Sequence, residues 1–251
     1  MAARRGQTVS SILSWGFVST PELHLQTLFV LNGDGRITST REPGGSPGPL
    51  FFLVRSVARC AWAVRADVPE DVAIEIHGLA RSEPPHEDLR DAPVHADRYR
   101  SLLGQGRGKI DRSGGPAFEF PGAIAGPANV VLVDDERLLE HNFRGWVPGE
   151  IAAGRWPVTA VLDDGYPVSI CFSARSSDSA AEAGVETAQR FRGRGFGCRV
   201  TAAWALAVRA SGRIPLYSTS WTNSPSLAVA RKLGLIAYAS SWTLSDRVTV
   251  P

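Results

Sequence analysis

The sequence predicts a mixed α+β chain in two parts, and three features of it carry that expectation. In the second half, short β-branched runs, a glycine-rich loop and two amphipathic helices follow one another in an order that builds a sheet with helices packed on it. A Gly/Pro-rich stretch over residues 104–126, including Ser113-Gly114-Gly115-Pro116, reads as a linker. The first half carries strand-like runs of its own and one helical pattern. A length of 251 residues is enough for one large or two small cores. The expected division is 1–122, a small α+β lobe, and 123–251, a second α+β domain.

In the first half, residues 26–31 and 36–38 read as strands joined by the tight turn Asn32-Gly33-Asp34-Gly35. That turn also has the opening of a calcium loop but lacks the downstream glutamate, so a hairpin is expected. Residues 50–55 and 60–65 are further strands. Residues 70–80 read as a helix with Val72, Ile74, Ile76 and Leu79 apolar, although the alternation there also fits a strand.

In the second half, 130–133 is a strand and 135–142 a helix opened by Asp135 as its cap. Residues 157–162 and 166–174 are strands joined by Asp163-Asp164-Gly165. Residues 183–188 follow the turn Ser176-Ser177-Asp178-Ser179 and read as a strand through Val185 and Thr187. A helix runs to Ala210, with Val200, Ala203, Trp204, Ala207 and Val208 on one stripe and Arg199 and Arg209 off it. The strand 214–218, a second helix from Asn223 and a last strand 236–244 complete the half. Trp204 and Trp242 are expected in the core.

Composition narrows the function. Lys and Arg number 27 against 25 Asp and Glu, with no block of one sign, which removes any basis for non-specific nucleic-acid binding or a polybasic membrane anchor. Cys60, Cys171 and Cys198 are far apart and odd in number, so reduced thiols are expected and no metal site. The five histidines show no ligand spacing, and His141 is not expected to be catalytic. No apolar run reaches membrane-spanning length, and Arg4 and Arg5 are not followed by a long apolar core, so a cytoplasmic protein is expected.

The segment that carries chemistry is Arg190-Phe191-Arg192-Gly193-Arg194-Gly195-Phe196-Gly197, running into the first helix. Glycines let the backbone approach a ligand closely, and the helix start leaves N–H groups unpaired at the positive end of its dipole. Arg190, Arg192, Arg194 and Arg199 add charges that fork onto phosphate oxygens. The loop is not a P-loop, because neither Lys109 nor Lys232 lies in it. Nor is it a dinucleotide fingerprint, because Gly193, Gly195 and Gly197 are spaced G-x-G-x-G and no acid follows before Asp246.

The pattern Arg190-x-x-Gly193-x-Gly195 resembles the acetyl-coenzyme A signature R/Q-x-x-G-x-G/A of the GNAT superfamily of N-acetyltransferases. A second stretch, Asn223-Ser224-Pro225-Ser226 through Lys232-Leu233-Gly234-Leu235, looks like that family's late helix. The resemblance spans roughly residues 128–251 and is sharpest from Val185 to Gly234. It implies an acyl-CoA-binding fold with a central, mostly antiparallel sheet flanked by helices. It also implies acetyl-CoA as cofactor, held by Val185, Thr187, Arg190, Arg192, Gly193, Arg194, Gly195, Phe196, Gly197, Asn223 and Ser226.

Transfer to an amine needs the amine uncharged, and an alkylamine has a pKa of about 10, so a base is required. Glu186 is the first expectation and Glu182 the second; four apart, they share a face of an extended strand. The resemblance supplies oxyanion donors from the backbone around Val185 to Thr187. At the position where many members carry a tyrosine that protonates the leaving thiolate, this chain has Ala230. Ser226, Tyr217, Tyr238 or solvent are the substitutes, and a thiol pKa of about 8.5 makes the thiolate a tolerable leaving group. Asn223 fits both a helix cap and a cofactor contact, and Ser226 is similarly ambiguous. Trp221, in a polar loop beside the cleft, is expected to line the acceptor pocket together with Glu182. The expected reaction is direct acetyl transfer to a small-molecule amine, with a peptide or protein acceptor left open and a homodimer equally open. The alternative is a non-catalytic acyl-CoA-binding module whose N-terminal lobe binds a partner.

Overall fold

The computed structural model describes residues 19–84 and 88–246. Arg4 and Arg5 lie outside the described residues.

The chain begins with helix α1 (Pro21–Leu28), capped by the Thr20 hydroxyl, which accepts from Leu23 N at 3.1 Å. Strands β1 (Phe29–Leu31) and β2 (Ile37–Thr40) pair as a separate antiparallel hairpin around the Asn32–Gly35 turn. Strands β3 (Phe51–Arg55) and β4 (Cys60–Val64), helices α2 (Glu70–Arg81) and α3 (Ala96–Gly104), and strand β5 (Ile110–Glu119) follow. The second half contains β6 (Val131–Leu132), a short turn of helix at Glu136–Leu138 capped by Asp135, and β7 (Val158–Asp163). Then come β8 (Tyr166–Ser176), β9 (Ala180–Thr187), α4 (Phe196–Ala210), β10 (Ile214–Ser218), α5 (Ser224–Lys232) and β11 (Ile236–Asp246).

Among the described residues, nine strands form one sheet in the order β4-β3-β11-β5-β10-β9-β8-β7-β6, and β9–β10 is its one parallel pair. The architecture is therefore the mixed α+β class expected, a mostly antiparallel sheet flanked by helices. One face packs on α4 and α5 through Tyr217, Ala181, Val200, Trp204 and Val208, and on α2 and α3 through Phe51, Leu53, Trp242 and Leu244. The other face is covered by α1 at one end and by Val133, Leu139, Phe143 and Trp146 at the other.

The structure corrects four expectations. Residues 104–126 are not a linker: they contain β5, which lies between β11 and β10 and pairs with β11 over almost its whole length. Its glycines serve close packing, since a Cβ on Gly115 would lie 1.7 Å from the Thr219 carbonyl oxygen and one on Gly114 2.4 Å from that of Ser241. The expected boundary at 122 thus falls within a sheet that runs across it, with β3, β4 and β5 on one side and their partners β11 and β10 on the other. The region read as a strand from residue 26 is the end of α1, whose apolar Leu25 and Leu28 are buried under a helical turn. Residues 135–142 make only one helical turn at Glu136–Leu138, although the Asp135 cap is present, with its carboxylate 3.1 Å from Arg137 N. The stretch from residue 70 is the helix expected, burying Ala73, Ile76 and Ala80 on one side.

Candidate functional site

The site begins where two parallel strands part. β9 and β10 pair only at Ala180, Ala181 and Glu182 against Ile214, Pro215 and Leu216. Beyond that point β10 stays with β5, through Tyr217↔Phe118 and Ser218↔Ala117, while β9 stays with β8 up to Thr187↔Ser169. The β9 backbone from Ala183 to Thr187 is left without a neighbour on its β10 side, and a cleft of about 930 Å³ opens between Ala183 and Val185 on one limb and Tyr217, Ser218 and Thr219 on the other.

The glycine-rich loop closes one end of this cleft. Gly193 and Gly195 both adopt φ of +79°, which side-chain-bearing residues rarely take, and nothing lies within 4 Å of a Cβ built on either. Gly195 is the N-cap of the 15-residue helix α4 and supplies no side-chain cap, so the N–H groups of the first turn, at Phe196, Gly197 and Cys198, start a helix that faces the cleft. Arg192 lines the same end, held by a bond from its Nε to the Thr187 carbonyl at 3.1 Å. Lys232, at the last turn of α5, adds a second cation to the lining. An open glycine cradle, an uncapped helix start and two cations fit a diphosphate.

Of the residues singled out in the sequence, the cleft brings together Val185, Glu186, Thr187, Arg192, Gly193, Gly195, Phe196, Gly197, Asn223 and Ser226. Five others, Arg190, Arg194, Trp221, Glu182 and Arg199, lie elsewhere. The Arg190 and Arg194 guanidinium groups stack on the Phe191 ring at 4.9 and 5.2 Å, and neither lines the cleft. Trp221 packs under the Arg90 guanidinium at 4.9 Å and lines no part of the cleft. Glu182 is buried, 4% exposed, accepting from the Ser218 hydroxyl and paired with Arg175 at 3.2 Å. Arg199, expected to add charge to the loop, donates to the Asn129 carbonyl at 2.9 Å instead.

Glu186 is exposed at the cleft. Its register partner on β8 is Ile170, whereas Val185 and its partner Cys171 sit in the core under α4, so Glu182, Gly184 and Glu186 point to the sheet face away from α4. The two carboxylates share a face as the spacing predicts, one locked in an ion pair and one free to meet a ligand. Asn223 caps α5, its Oδ1 accepting from Ser226 N at 3.2 Å, and lines the cleft as well. The Ser226 hydroxyl is 2.6 Å from the Tyr217 hydroxyl, and burial pushes the Tyr217 phenol up to about 12. Cys198 also lines the cleft, and burial pushes its thiol up. Gln189, Asn142 and Phe143 complete the lining without a distinguishing signal in the sequence; Lys232 had one, its place in the Lys232-Leu233-Gly234 end of the late helix.

Comparison with known proteins gives the following. Residues 159–241 match the family model described as GNAT acetyltransferase. No curated protein matches the chain. Among solved structures, a GNAT-family protein from Novosphingobium aromaticivorans is 20% identical with a TM-score of 0.46, and the match covers 54% of this chain and 66% of that one, just under two thirds. A GCN5-related N-acetyltransferase-like protein from Streptococcus suis is 18% identical with a TM-score of 0.47, covering 78% of this chain and 84% of the other. An acetyltransferase of the GNAT family from Colwellia psychrerythraea is 12% identical with a TM-score of 0.46, covering 74% and 76%.

Proposed function

We propose that this chain, which belongs to the GNAT superfamily through residues 159–241, moves an acetyl group from acetyl-CoA to a primary amine of a small molecule by direct transfer in a ternary complex. The observation that carries the reading is the parting of β9 from β10 beside the Gly193–Gly197 loop: it leaves a stretch of open backbone and an anion cradle along one cleft.

Bound there, acetyl-CoA supplies an activated acetyl carbon on a thioester. The chain supplies the rest. Backbone N–H groups of the α4 start with Arg192 and Lys232 hold the diphosphate, and the free edge of β9 between Ala183 and Thr187 offers main-chain hydrogen bonds to an extended arm. Glu186 takes the proton that the amine must lose, directly or through water. The Tyr217–Ser226 pair holds a proton at the cleft that the departing sulfur can take. The nitrogen–carbon bond forms as the carbon–sulfur bond breaks; the ammonium gives one proton to Glu186 before attack, nitrogen loses a second as the amide forms, and one proton arrives at sulfur, the net proton leaving to solvent. Cys198, the cysteine in the cleft, is kept as a neutral thiol by burial, which disfavours a covalent cysteine relay and supports direct transfer.

The setting we propose is cytoplasmic; among the described residues, no helix is long and apolar enough to cross a membrane. A second reading, a binding module without turnover, is favoured by Ala230, 1% exposed, where many family members carry a tyrosine. Two measurements separate them. Calorimetry with coenzyme A should show binding in either case, lost in Gly195→Val; thiol release from acetyl-CoA with a panel of amines should occur only if transfer is catalysed. Binding with no thiol release against any amine would leave the second reading standing, and no binding at all would remove both.

A further inference from the structure

On the sheet face away from α4 and α5 lies a second cavity of about 590 Å³. Its floor is β11. Ser241, Thr243 and Ser245 alternate towards the cavity, while Trp242 and Leu244 alternate into the core beneath α2 and α3. β11 has β3 on one side and β5 on the other. A strand in that position buried on both faces reads as apolar on both, and a row of hydroxyls on one face marks that face as wet. Gly114, opposite Trp242 on β5, adds no side chain to the floor.

One relationship connects this cavity to the cleft beside the glycine loop. Ser218 and Thr219 line both, so the two meet where β9 and β10 part. The wall opposite is α1, through His24 and Leu28, with Phe29 and Phe52 beside it.

The charges around the cavity are matched. Arg65 pairs with Asp67 at 2.6 Å and with Asp246, and Arg175 pairs with Glu42 at 3.3 Å and Glu182 at 3.2 Å. His24 bonds through Nδ1 to the Tyr238 hydroxyl at 2.7 Å, and burial pushes its pKa down, so it is a neutral ring. Each arginine has its carboxylates, so no net charge is left there for a carboxylate or a polycation to neutralise, while His24 Nε2 and Arg175 Nε lack a hydrogen-bond partner among the described residues and can meet a ligand hydroxyl. Hydroxyls, which both donate and accept, suit a ligand that does the same, and the two phenylalanine rings offer surface to its C–H faces.

We propose that this cavity receives the acceptor, and that the acceptor is an amine on an uncharged polyhydroxylated skeleton, of the amino-sugar or amino-alcohol class. The inference rests on the acyl-transfer reading above and names the substrate class of that reaction.

The test uses the full chain with acetyl-CoA and follows thiol release against glucosamine, galactosamine and serinol on one side and hexylamine, spermidine and a lysine peptide on the other. The hydroxylated amines should show kcat/KM at least about tenfold higher, and the near-isosteric Thr243→Val should raise their KM about tenfold, the cost of one lost hydrogen bond, with the KM for acetyl-CoA unchanged. Ser245→Ala, further along the same row, should act in the same direction. Preference for hexylamine, spermidine or the peptide, or an unchanged acceptor KM in both variants, would overturn the assignment while leaving acetyl transfer intact. No thiol release with any of the amines would instead remove the transfer reading and this one with it.

Discussion

The Tyr217 hydroxyl lies 2.6 Å from Ser226 Oγ, joining β10 to the first turn of α5 at the edge of the cleft. Ala230 on α5 is packed in the core and lines no part of the cleft. The phenol at this end of the cleft stands on β10, where Ser226 of α5 bonds to it. Burial pushes it up to about 12, so it keeps its proton across the range of an ordinary assay.

Tyr217→Phe should slow thiol release on the order of 10²-fold near neutral pH, the usual contribution of a positioned proton donor. The deficit should shrink as pH rises past about 8.5, where a thiolate leaves without a proton. Steady-state rates from pH 6.5 to 9.5 test this; a constant ratio to wild type would exclude the donor role.

The same raised phenol predicts how stability responds to base. Tyr217, and Tyr238 which burial raises further, hold their protons in the folded chain at a pH where the unfolded chain loses them. Their contribution is complete below the ordinary tyrosine pKa of about 10 and is lost as pH climbs through the folded value, so melting temperature should fall between about pH 10 and pH 12. In Tyr217→Phe that fall should be shallower.

Glu186→Gln should lower kcat with the affinity for coenzyme A unchanged, because the side chain sits at the cleft opening and leaves the glycine loop untouched. A loss on the order of 10²-fold is expected of a general base. Rates measured beside calorimetric affinities decide it, and full turnover in the variant would transfer the role to another group.

Gly193→Val and Gly195→Val place a β-branched side chain at φ of +79° but into open space. The strain costs about 1–2 kcal/mol, too little to unfold a domain, while the new side chain blocks the cradle. Coenzyme A binding should vanish with the circular dichroism spectrum unchanged. Gly115→Ala is the opposite case: its Cβ meets the Thr219 carbonyl at 1.7 Å, so about 3 kcal/mol of stability should be lost in urea denaturation. A fragment starting at residue 123 lacks β5 altogether and should fail to fold, since β10 and β11 then lose the strand they both pair with.

Much of the second half is readable along the chain because its signals are local. The Val200–Trp204–Val208 stripe of α4, the Asn223 cap of α5, the Asp163–Gly165 turn and the glycine spacing of the loop each act within a few residues, so strand β10 and both helices fall where the pattern puts them. The Glu182 and Glu186 alternation is equally local, but their different fates are not: Arg175 and Ser218 reach Glu182 from other strands, and among the described residues none reaches Glu186. The arginines of the loop show the same limit, since Phe191 claims Arg190 and Arg194 and the Asn129 carbonyl claims Arg199.

The order of residues alone was enough to specify the glycine-rich loop, the helix it feeds and the α+β class, because backbone conformation and amphipathic periodicity are short-range properties. Whether Gly114 and Gly115 mark a flexible connection or the middle of a sheet depends on what lies against them, and only the folded chain brings Thr219 and Ser241 there. Likewise the hydroxyls of β11 become a cavity floor, and Tyr217 a partner for Ser226, through contacts between segments far apart in the chain, which local pattern does not encode.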